Sequence, residues 1–237
     1  ANTDDGSCTN CYASADIGAD TINACDSVLI STNVIANGTY CWNIPTQTAQ
    51  WDLFADNFSN MGGNNISFEI INNNLYIAYA DGGNSYGSSV LEYNGTTWSN
   101  VGNPGFSNNS SGIGIVSNSL AFDNNNTPYL AFVYNSGGKV NVMKFDGSSW
   151  IQVGASNFSA GGAEYISLAI DNNNNPYVAF RDNGNNGGHA TVMKFDGSSW
   201  VNVGSPAFSI SSVQHTSLAI NSNNEPYIAF RDVGNPN

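Results

Sequence analysis

Two arginine–aspartate pairs stand fifty residues apart in a chain that has few other charges. Arg181-Asp182 and Arg231-Asp232 end two Pro-Tyr-x-Ala-Phe runs, and earlier, related runs end in Asp81 and Tyr134. A carboxylate accepts hydrogen bonds from sugar hydroxyls, a guanidinium donates them, and an aromatic ring stacks on the apolar face of a sugar. The sequence therefore predicts a ligand site formed by Asp81, Tyr134, Arg181, Asp182, Arg231 and Asp232.

The same pairs have a structural interpretation, which the sequence leaves open. The chain has 5 basic residues among 237, and charged residues in so charge-poor a protein tend to pair with each other. Arg181 and Arg231 would then bind their own neighbouring aspartates and hold adjacent repeats together.

Catalysis on sugars requires groups that this sequence scarcely offers. A sialidase-type site needs a cluster of arginines, and a glycosidase needs a positioned pair of carboxylates. Asp81, Asp182 and Asp232 occupy one repeat position, which favours a structural role, and Glu69 and Glu92 are expected on the surface. No nucleophile elbow and no glycine-rich phosphate loop occurs. The sequence therefore predicts no catalytic residue and no enzymatic activity.

The candidate residues belong to a repeated unit. The nonapeptide VMKFDGSSW occurs at 142–150 and again at 192–200, and a third copy, VLEYNGTTW, occupies 90–98. The dipeptide Phe-Ser follows each copy, at 106–107, 158–159 and 208–209, and a further tryptophan, Trp51, precedes all three copies. The repeated units begin near Trp51, Trp98, Trp150 and Trp200.

Each repeat reads as four short β-strands in about fifty residues. Runs such as PYVAFRD and ATVMKFD are rich in β-branched and aromatic residues, and Asn, Gly, Asp, Ser and Pro bound them. In the run 176–182, Val178 and Phe180 alternate with Tyr177 and Ala179, so both faces are apolar, as in a sheet covered on both sides. Repeated four-stranded units of this length predict an all-β fold, a β-propeller. The tryptophans at fixed repeat positions, Trp98, Trp150 and Trp200, are expected to be wedges between blades.

A family resemblance agrees with this prediction. The stretch LYIAYADGGNSYGSSVLEYNGTTWSNVG (75–102) resembles a kelch repeat, and FDGSSW resembles the Asp-box of sialidase-type propellers. The later copies carry the kelch double glycine further along, at Gly137-Gly138 and Gly187-Gly188, and they lack the residue that an Asp-box has between Asp and Gly. The chain is similar to propeller repeats of secreted surface proteins from Bacteroidetes-like bacteria. The resemblance implies an architecture and does not specify a ligand.

The two ends of the repeat region are complementary. The last repeat has two strands, whereas the segment around Gly38–Asn43 and Trp51 resembles a third and a fourth strand without a first hairpin. Together the ends would close a four-bladed ring, which would remove exposed strand edges. The other interpretation is that the chain is a piece of a larger propeller.

All four cysteines, Cys8, Cys11, Cys25 and Cys41, precede the repeats. An even number in a short polar leader predicts two disulfides of undetermined connectivity rather than a zinc site, because no second Cys-x-x-Cys or nearby histidine completes one. We therefore expect a cysteine-rich leader at 1–37, propeller repeats at 38–237, and a secreted or cell-surface location. Calcium at Asp4 and Asp5 is not favoured, since calcium requires six or more oxygen ligands, and no other cofactor is expected.

The amino-acid composition restricts the classes of partner that the chain is expected to bind. With 18 acidic and 5 basic residues the net charge is −13, a surface that repels phosphate, so we expect neither nucleic-acid binding nor membrane adhesion. No apolar run is long enough to span a membrane. His189 and His215 have no counterparts in other repeats and are expected on the surface. The sequence favours a secreted, non-catalytic module that binds glycan first and protein second; the alternative is an extracellular protein that assembles with itself.

Overall fold

The computed structural model describes residues 63–107, 114–135, 137–184 and 187–234, and every structural statement below concerns these ranges. The chain divides into two units, Ala1–Phe54 and Ala55–Asn237, and the described ranges all belong to the second unit. The predicted leader at 1–37, its four cysteines, the Asp4-Asp5 pair, Gly38–Asn43 and Trp51 lie outside the described residues. The predictions of disulfides and of ring closure therefore stay predictions.

Four antiparallel sheets follow one another along the described part of the chain. The first blade consists of β1 (Gly63–Ile71), β2 (Asn74–Asp81), β3 (Gly87–Tyr93) and β4 (Trp98–Asn100), with a 3₁₀ turn at Gly82–Asn84 after β2. The second blade consists of β5 (Ile115–Phe122), β6 (Pro128–Tyr134), β7 (Val140–Phe145) and β8 (Trp150–Gln152). The third blade consists of β9 (Ala163–Ile170), β10 (Pro176–Asp182), β11 (His189–Phe195) and β12 (Trp200–Asn202). The last sheet, the half-blade, consists of β13 (Val213–Ile220) and β14 (Pro226–Asp232).

In every sheet, strands that are consecutive in the chain are also neighbours in the sheet. This meander of four strands, repeated, confirms the predicted all-β propeller. In the second and third blades the second strand is the most buried, as its two apolar faces predict: in β10, Tyr177, Val178, Ala179 and Phe180 are all buried. No helix in the described ranges is long and apolar enough to cross a membrane.

Aspartate and asparagine side chains build the turns of the blades. In the turn between β9 and β10, Asp171 Oδ1 accepts hydrogen bonds from the backbone N–H groups of Asn173 and Asn175, at 2.9 and 2.8 Å. In the outer turn of the same blade, Asp196 Oδ1 accepts from the N–H groups of Ser198 and Ser199. These side chains replace the backbone partners that a turn lacks, which explains why the FDGSSW phrase recurs.

Neighbouring blades pack face to face through repeated contacts. At the inner strands a serine of one blade accepts a hydrogen bond from the next blade: Ser119 Oγ from the Leu168 N–H, and Ser167 Oγ from the Leu218 N–H, each at 3.0 Å. At the outer strands Trp150 and Trp200 extend onto the preceding blade. The indole N–H groups of Trp150 and Trp200 donate to the carbonyl oxygens of Val101 and Val153. The predicted wedge role is confirmed for these two tryptophans.

Candidate ligand site between the third blade and the half-blade

Arg181 lies at a repeat position that is apolar in the preceding blades. Its counterparts, Ala80 in β2 and Val133 in β6, are fully buried in the apolar clusters at the first and second interfaces between blades. The third interface lies between the third blade and the half-blade. The guanidinium of Arg181 therefore occupies a place in this interface that the aliphatic side chains of Ala80 and Val133 occupy in the other two. A charge at such a position requires a partner, because removing a charge from water is costly.

The partner of Arg181 is Glu164, which lies opposite it in the pairing of β9 with β10. Arg181 Nη1 donates to Glu164 Oε2 at 3.0 Å, and the two side chains keep 25% and 34% of their surface exposed. The pair is therefore mostly buried but partly open to solvent, and an approaching solute can reach both its charges. Arg181 was expected, in the structural interpretation, to pair with its neighbour Asp182. It pairs instead with Glu164 on the adjacent strand.

The Nε of Arg181 is buried and makes no hydrogen bond within the described part of the molecule. It faces the loop after β10, where a Cβ added at Gly188 would lie 2.4 Å from Nε and 2.7 Å from Ser212 Oγ. Glycine at position 188 thus leaves room for the guanidinium. A buried donor without an acceptor is costly, so this N–H is a point at which a ligand oxygen or a water would bind favourably.

Two aromatic rings contact each other between the third blade and the half-blade. The rings of Tyr165, which follows Glu164, and His215, on the half-blade, have centroids 4.9 Å apart and are tilted by 55°. Both residues have left-handed backbones, with φ of 50° and 52°, at bulges in their inner strands. Asn65, at the same bulge of the first blade, has a φ of 53°, so this backbone conformation belongs to the repeat. His215 is exposed, as predicted, and Tyr165 is half-buried.

The half-blade repeats the arrangement without the negative charge. Arg231 Nη1 donates to Gln214 Oε1 at 3.1 Å, in the register that joins Arg181 to Glu164. Asp232 Oδ1 accepts a hydrogen bond from the Gly234 N–H, so it too serves its own loop rather than the neighbouring arginine. Arg231 is exposed.

Two of the remaining predicted residues, Asp81 and Asp182, hold loops of their own blades, and the third, Tyr134, contacts the loop after the preceding blade. Asp81 is buried, and its Oδ2 accepts hydrogen bonds from Asn84 Nδ2 and Ser89 Oγ, both at 2.8 Å. Asp182 is 1% exposed, and its Oδ1 accepts from the Gly184 N–H at 2.8 Å. The Tyr134 hydroxyl donates to the carbonyl oxygen of Ser107. Burial raises the pKa of Tyr134, which keeps this hydroxyl a donor. These three side chains hold loops in place.

Three residues expected on the surface are partly buried. Glu92 Oε1 accepts a hydrogen bond from the Tyr76 hydroxyl at 2.7 Å; burial and then this bond raise the pKa of Tyr76 to about 12. Burial also raises the pKa of Glu69. His189 Nδ1 lies 2.6 Å from the carbonyl oxygen of Ser209. The expectation of simple surface positions is therefore wrong for Glu69, Glu92 and His189.

Sequence reasoning did not select Glu164, Tyr165, Gln214 or His215. A signal was present: aligned on the Ser-Leu-Ala step, Glu164 stands where the second blade has Val116, just as Arg181 stands where it has Val133. Two residues that are valine in the second blade are thus replaced by opposite charges in the third. In the described ranges no group of three or more His, Cys, Asp or Glu residues is placed to hold a metal ion.

No protein-family model matches the sequence, and no curated protein does either. Solved structures do show similarity. An endo-arabinase from Bacteroides thetaiotaomicron is 11% identical, with 72% of this chain and 70% of the enzyme covered and a TM-score of 0.47. An ulvan lyase, a polysaccharide lyase bound to a saccharide of GlcA and Rha3S, is 13% identical, with 73% and 48% covered and a TM-score of 0.48. A fucose lectin from Kordia zhangzhouensis in complex with methyl-fucoside is 11% identical, with 60% and 99% covered and a TM-score of 0.36.

These similarities correct one prediction from the sequence. The chain was expected not to be an enzyme, yet an endo-arabinase and a polysaccharide lyase are among the structures to which it is similar, beside a lectin. The scarcity of arginines and of paired carboxylates therefore does not exclude catalysis. The chain spans about half the length of the ulvan lyase. By their names, these similar proteins bind or act on carbohydrate.

Proposed function

We propose that the chain binds extracellular glycans at the Arg181 site, which consists of Arg181, Glu164, Tyr165 and His215. The observation that carries this proposal is the partly exposed Arg181–Glu164 ion pair, at 3.0 Å, in an interface whose counterparts are Ala80 and Val133. Neither blade packing nor the fold requires charge at this position, since the other two interfaces form without it. A ligand that uses the charges accounts for them.

The chemistry of the site suits a neutral, hydroxyl-rich ligand. Glu164 accepts hydrogen bonds from hydroxyl groups, while the solvent-exposed part of the Arg181 guanidinium donates them. The Tyr165 and His215 rings supply apolar surface on which the face of a sugar stacks. Because the two charges compensate each other, the site itself has no net preference for a charged ligand. The net charge of −13 disfavours polyanions on the chain as a whole.

The finer features of the proposal come from the sequence. The proposal includes a secreted or cell-surface location, a place in a larger adhesin-like surface protein, and repeats of kelch-like and Asp-box-like character. It also includes protein as the second class of ligand. Self-assembly into a filament, stalk or surface layer is the competing function, and it predicts large particles in solution rather than a saturable glycan site.

The first test is a glycan array followed by calorimetry on the strongest hits. Arg181→Lys keeps the charge and removes the Nε–H and the planar fork, and Glu164→Gln removes the negative acceptor. Each should weaken binding by roughly ten- to a hundredfold, the loss expected for a hydrogen bond to a charged group. Arg231→Lys is the matched control, because Arg231 has the same repeat position with an amide partner. It should bind like the wild type.

Two further measurements on the same samples separate the competing functions. Light scattering reports assembly: concentration-dependent large particles together with an empty array would favour the structural function and contradict glycan binding. Incubation of each hit with the chain, followed by measurement of new reducing ends and unsaturated sugars, reports turnover. Binding that survives both Arg181→Lys and Glu164→Gln would place the glycan site elsewhere on the chain and refute the Arg181 site.

A further inference from the structure

A tryptophan lock joins the outer parts of consecutive blades. At the first interface Trp150 Nε1 donates to the Val101 carbonyl at 2.7 Å, and its ring stacks on Phe106 with centroids 4.2 Å apart. At the second, Trp200 Nε1 donates to the Val153 carbonyl at 2.9 Å. Its ring stacks on Phe158, with centroids 4.1 Å apart and planes within 5°. The two locks thus share one geometry.

A glycine makes room for each indole. A Cβ at Gly102 would lie 3.0 Å from Trp150 Cδ1, and a Cβ at Gly154 would lie 3.1 Å from Trp200 Cδ1 and 2.7 Å from Phe195 Cε2. Each lock therefore has an acceptor side on the preceding blade, made of a valine carbonyl, a glycine and a phenylalanine. The donor side is the Phe-Asp-Gly-Ser-Ser-Trp hairpin of the following blade.

The third blade carries a complete acceptor side with no donor on it in the described part of the chain. Val203, Gly204 and Phe208 correspond to Val153, Gly154 and Phe158. A Cβ at Gly204 would meet nothing within 4 Å, and Phe208 is 43% exposed. A cavity of about 260 Å³ opens there. Its lining includes Val203, Gly204, Phe208, Leu218 and Ile228.

The strand beside this cavity has a free edge. Where β10 pairs with both β9 and β11, β14 pairs with β13 alone among the described strands. Tyr177 of β10 is 5% exposed with Lys194 of β11 4.9 Å above its ring, whereas its counterpart Tyr227 on β14 is 60% exposed. Within the described ranges, the half-blade thus presents unpaired backbone groups, an uncovered aromatic ring and an apolar cavity in the positions that a hairpin covers on the third blade.

We infer that this region is a docking site for a β-hairpin of a partner protein that carries a tryptophan on its second strand. The first strand of the hairpin adds to the edge of β14, and the indole enters the cavity, stacks on Phe208 and donates to the Val203 carbonyl. Continuity with the two filled interfaces specifies the chemistry of this occupant, because the same acceptor residues hold the same hairpin twice within the described chain. The segment around Gly38–Asn43 and Trp51, which the sequence predicts as a third and a fourth strand, is the competing occupant, and the experiment below distinguishes the two.

A peptide copy of the chain's own hairpin provides the probe. Residues 189–203, HATVMKFDGSSWVNV, made as a cyclised and fluorescein-labelled peptide, are titrated with the full chain and binding is measured by anisotropy. We expect saturable binding, weakened at least roughly tenfold when the peptide tryptophan is replaced by alanine, as for a buried aromatic anchor.

One substitution on the chain blocks the site without touching its packing. Gly204→Asn places a side chain in the empty position that the indole would take, and asparagine tolerates the left-handed φ of 74°. It should abolish peptide binding. Gly197→Asn, at another positive-φ glycine with open space, is the matched control and should bind like the wild type.

Three outcomes would overturn the inference. Binding that is indifferent to the peptide tryptophan or to Gly204→Asn would mean that the peptide docks elsewhere. Absence of binding, with a lower melting temperature for Gly204→Asn than for Gly197→Asn, would mean that the chain fills the cavity itself. A dimer that Gly204→Asn dissociates would make a second copy the occupant in place of a partner hairpin.

Discussion

The second interface, between the second and third blades, and the third interface, between the third blade and the half-blade, share their centre and differ at two places. Both centres are aliphatic, with Leu168 and Val178 in one and Leu218 and Ile228 in the other. The second interface has Val133 where the third has Arg181, and only the second has a tryptophan on its phenylalanine. The repeated residues thus account for the packing that the two interfaces share. The positions at which the third interface differs from the second are where a ligand or another protein, rather than the next blade, can bind.

The tryptophan of the second interface should have the largest effect on stability. Trp200 is 9% exposed, stacks on Phe158 and donates to Val153. Trp200→Ala removes the ring and leaves a cavity, so the free energy of unfolding should fall by about 3–5 kcal/mol in urea titration. Trp200→Phe keeps the stacking and loses the hydrogen bond, and its loss should be smaller. A loss below about 1 kcal/mol for Trp200→Ala would show that the lock does not hold the blades together.

A pair of phenylalanines at one repeat position compares the filled and the open lock directly. Phe158 is covered by Trp200, whereas Phe208 is 43% exposed and only borders Phe230, at 6.3 Å between centroids. Phe158→Ala should lower the free energy of unfolding by about 3 kcal/mol and Phe208→Ala by about 1 kcal/mol. Equal losses in thermal and urea unfolding would mean that Phe208 is covered in solution, which would also remove the open docking site.

The turn before β10 contains a buried aspartate in an ion pair. Asp171 is buried; Lys194 Nζ donates to its Oδ2 at 3.2 Å, in addition to the backbone bonds. Burial raises the pKa of Asp171, but the hydrogen bonds from Asn175, Lys194 and Asn173 outweigh burial and hold it below its usual value. The stability that this carboxylate contributes is therefore complete above about pH 4 and decreases as the pH falls towards the lowered pKa.

Asp171→Asn should lower the free energy of unfolding by about 1–2 kcal/mol near neutral pH, since asparagine keeps the turn and loses the ion pair. Asn221 already holds the equivalent turn of the half-blade by accepting from the Asn223 and Glu225 N–H groups. The difference from the wild type should shrink in urea titrations at about pH 3. Asp123→Asn, at the same position in the second blade, is the control for the turn; a difference independent of pH would contradict the role given to Lys194.

Much of the blade architecture was predictable because the sequence contains several copies of the same structural unit, and each copy shows the same pattern of residues. The four-strand period, the buried second strand and the wedge role of Trp150 and Trp200 all follow from patterns that recur at one spacing. A residue that must meet the same neighbour in every repeat is visible in the sequence. Its environment can be inferred from its type alone.

The candidate site was predictable only in part, because it depends on departures from the repeat. Arg181 was selected, but its partner Glu164 lies on the preceding strand, beside a bulge where Tyr165 has a positive φ. The inner strand of every blade and of the half-blade has a bulge at this position. The departure lies in the residue types, because Glu164 and Tyr165 stand where the first blade has Asn64 and Asn65. The ring pair of Tyr165 and His215 was missed for the same reason, since it joins two bulges on different blades.

The smallest expected change in stability is the sharpest test of this comparison. The double substitution Glu164→Val, Arg181→Val converts the charged pair of the third interface into Val116 and Val133 of the second. Replacing an ion pair by apolar residues of suitable size is often neutral, because the lost attraction is offset by the lost cost of desolvation. We expect the free energy of unfolding to stay within about 1 kcal/mol of the wild type while glycan binding disappears. The single substitution Arg181→Val leaves Glu164 without its cation and should be the less stable protein. If the double variant unfolded far more easily than the wild type, the pair would be a structural clamp, and the charges in this interface would need no ligand to account for them.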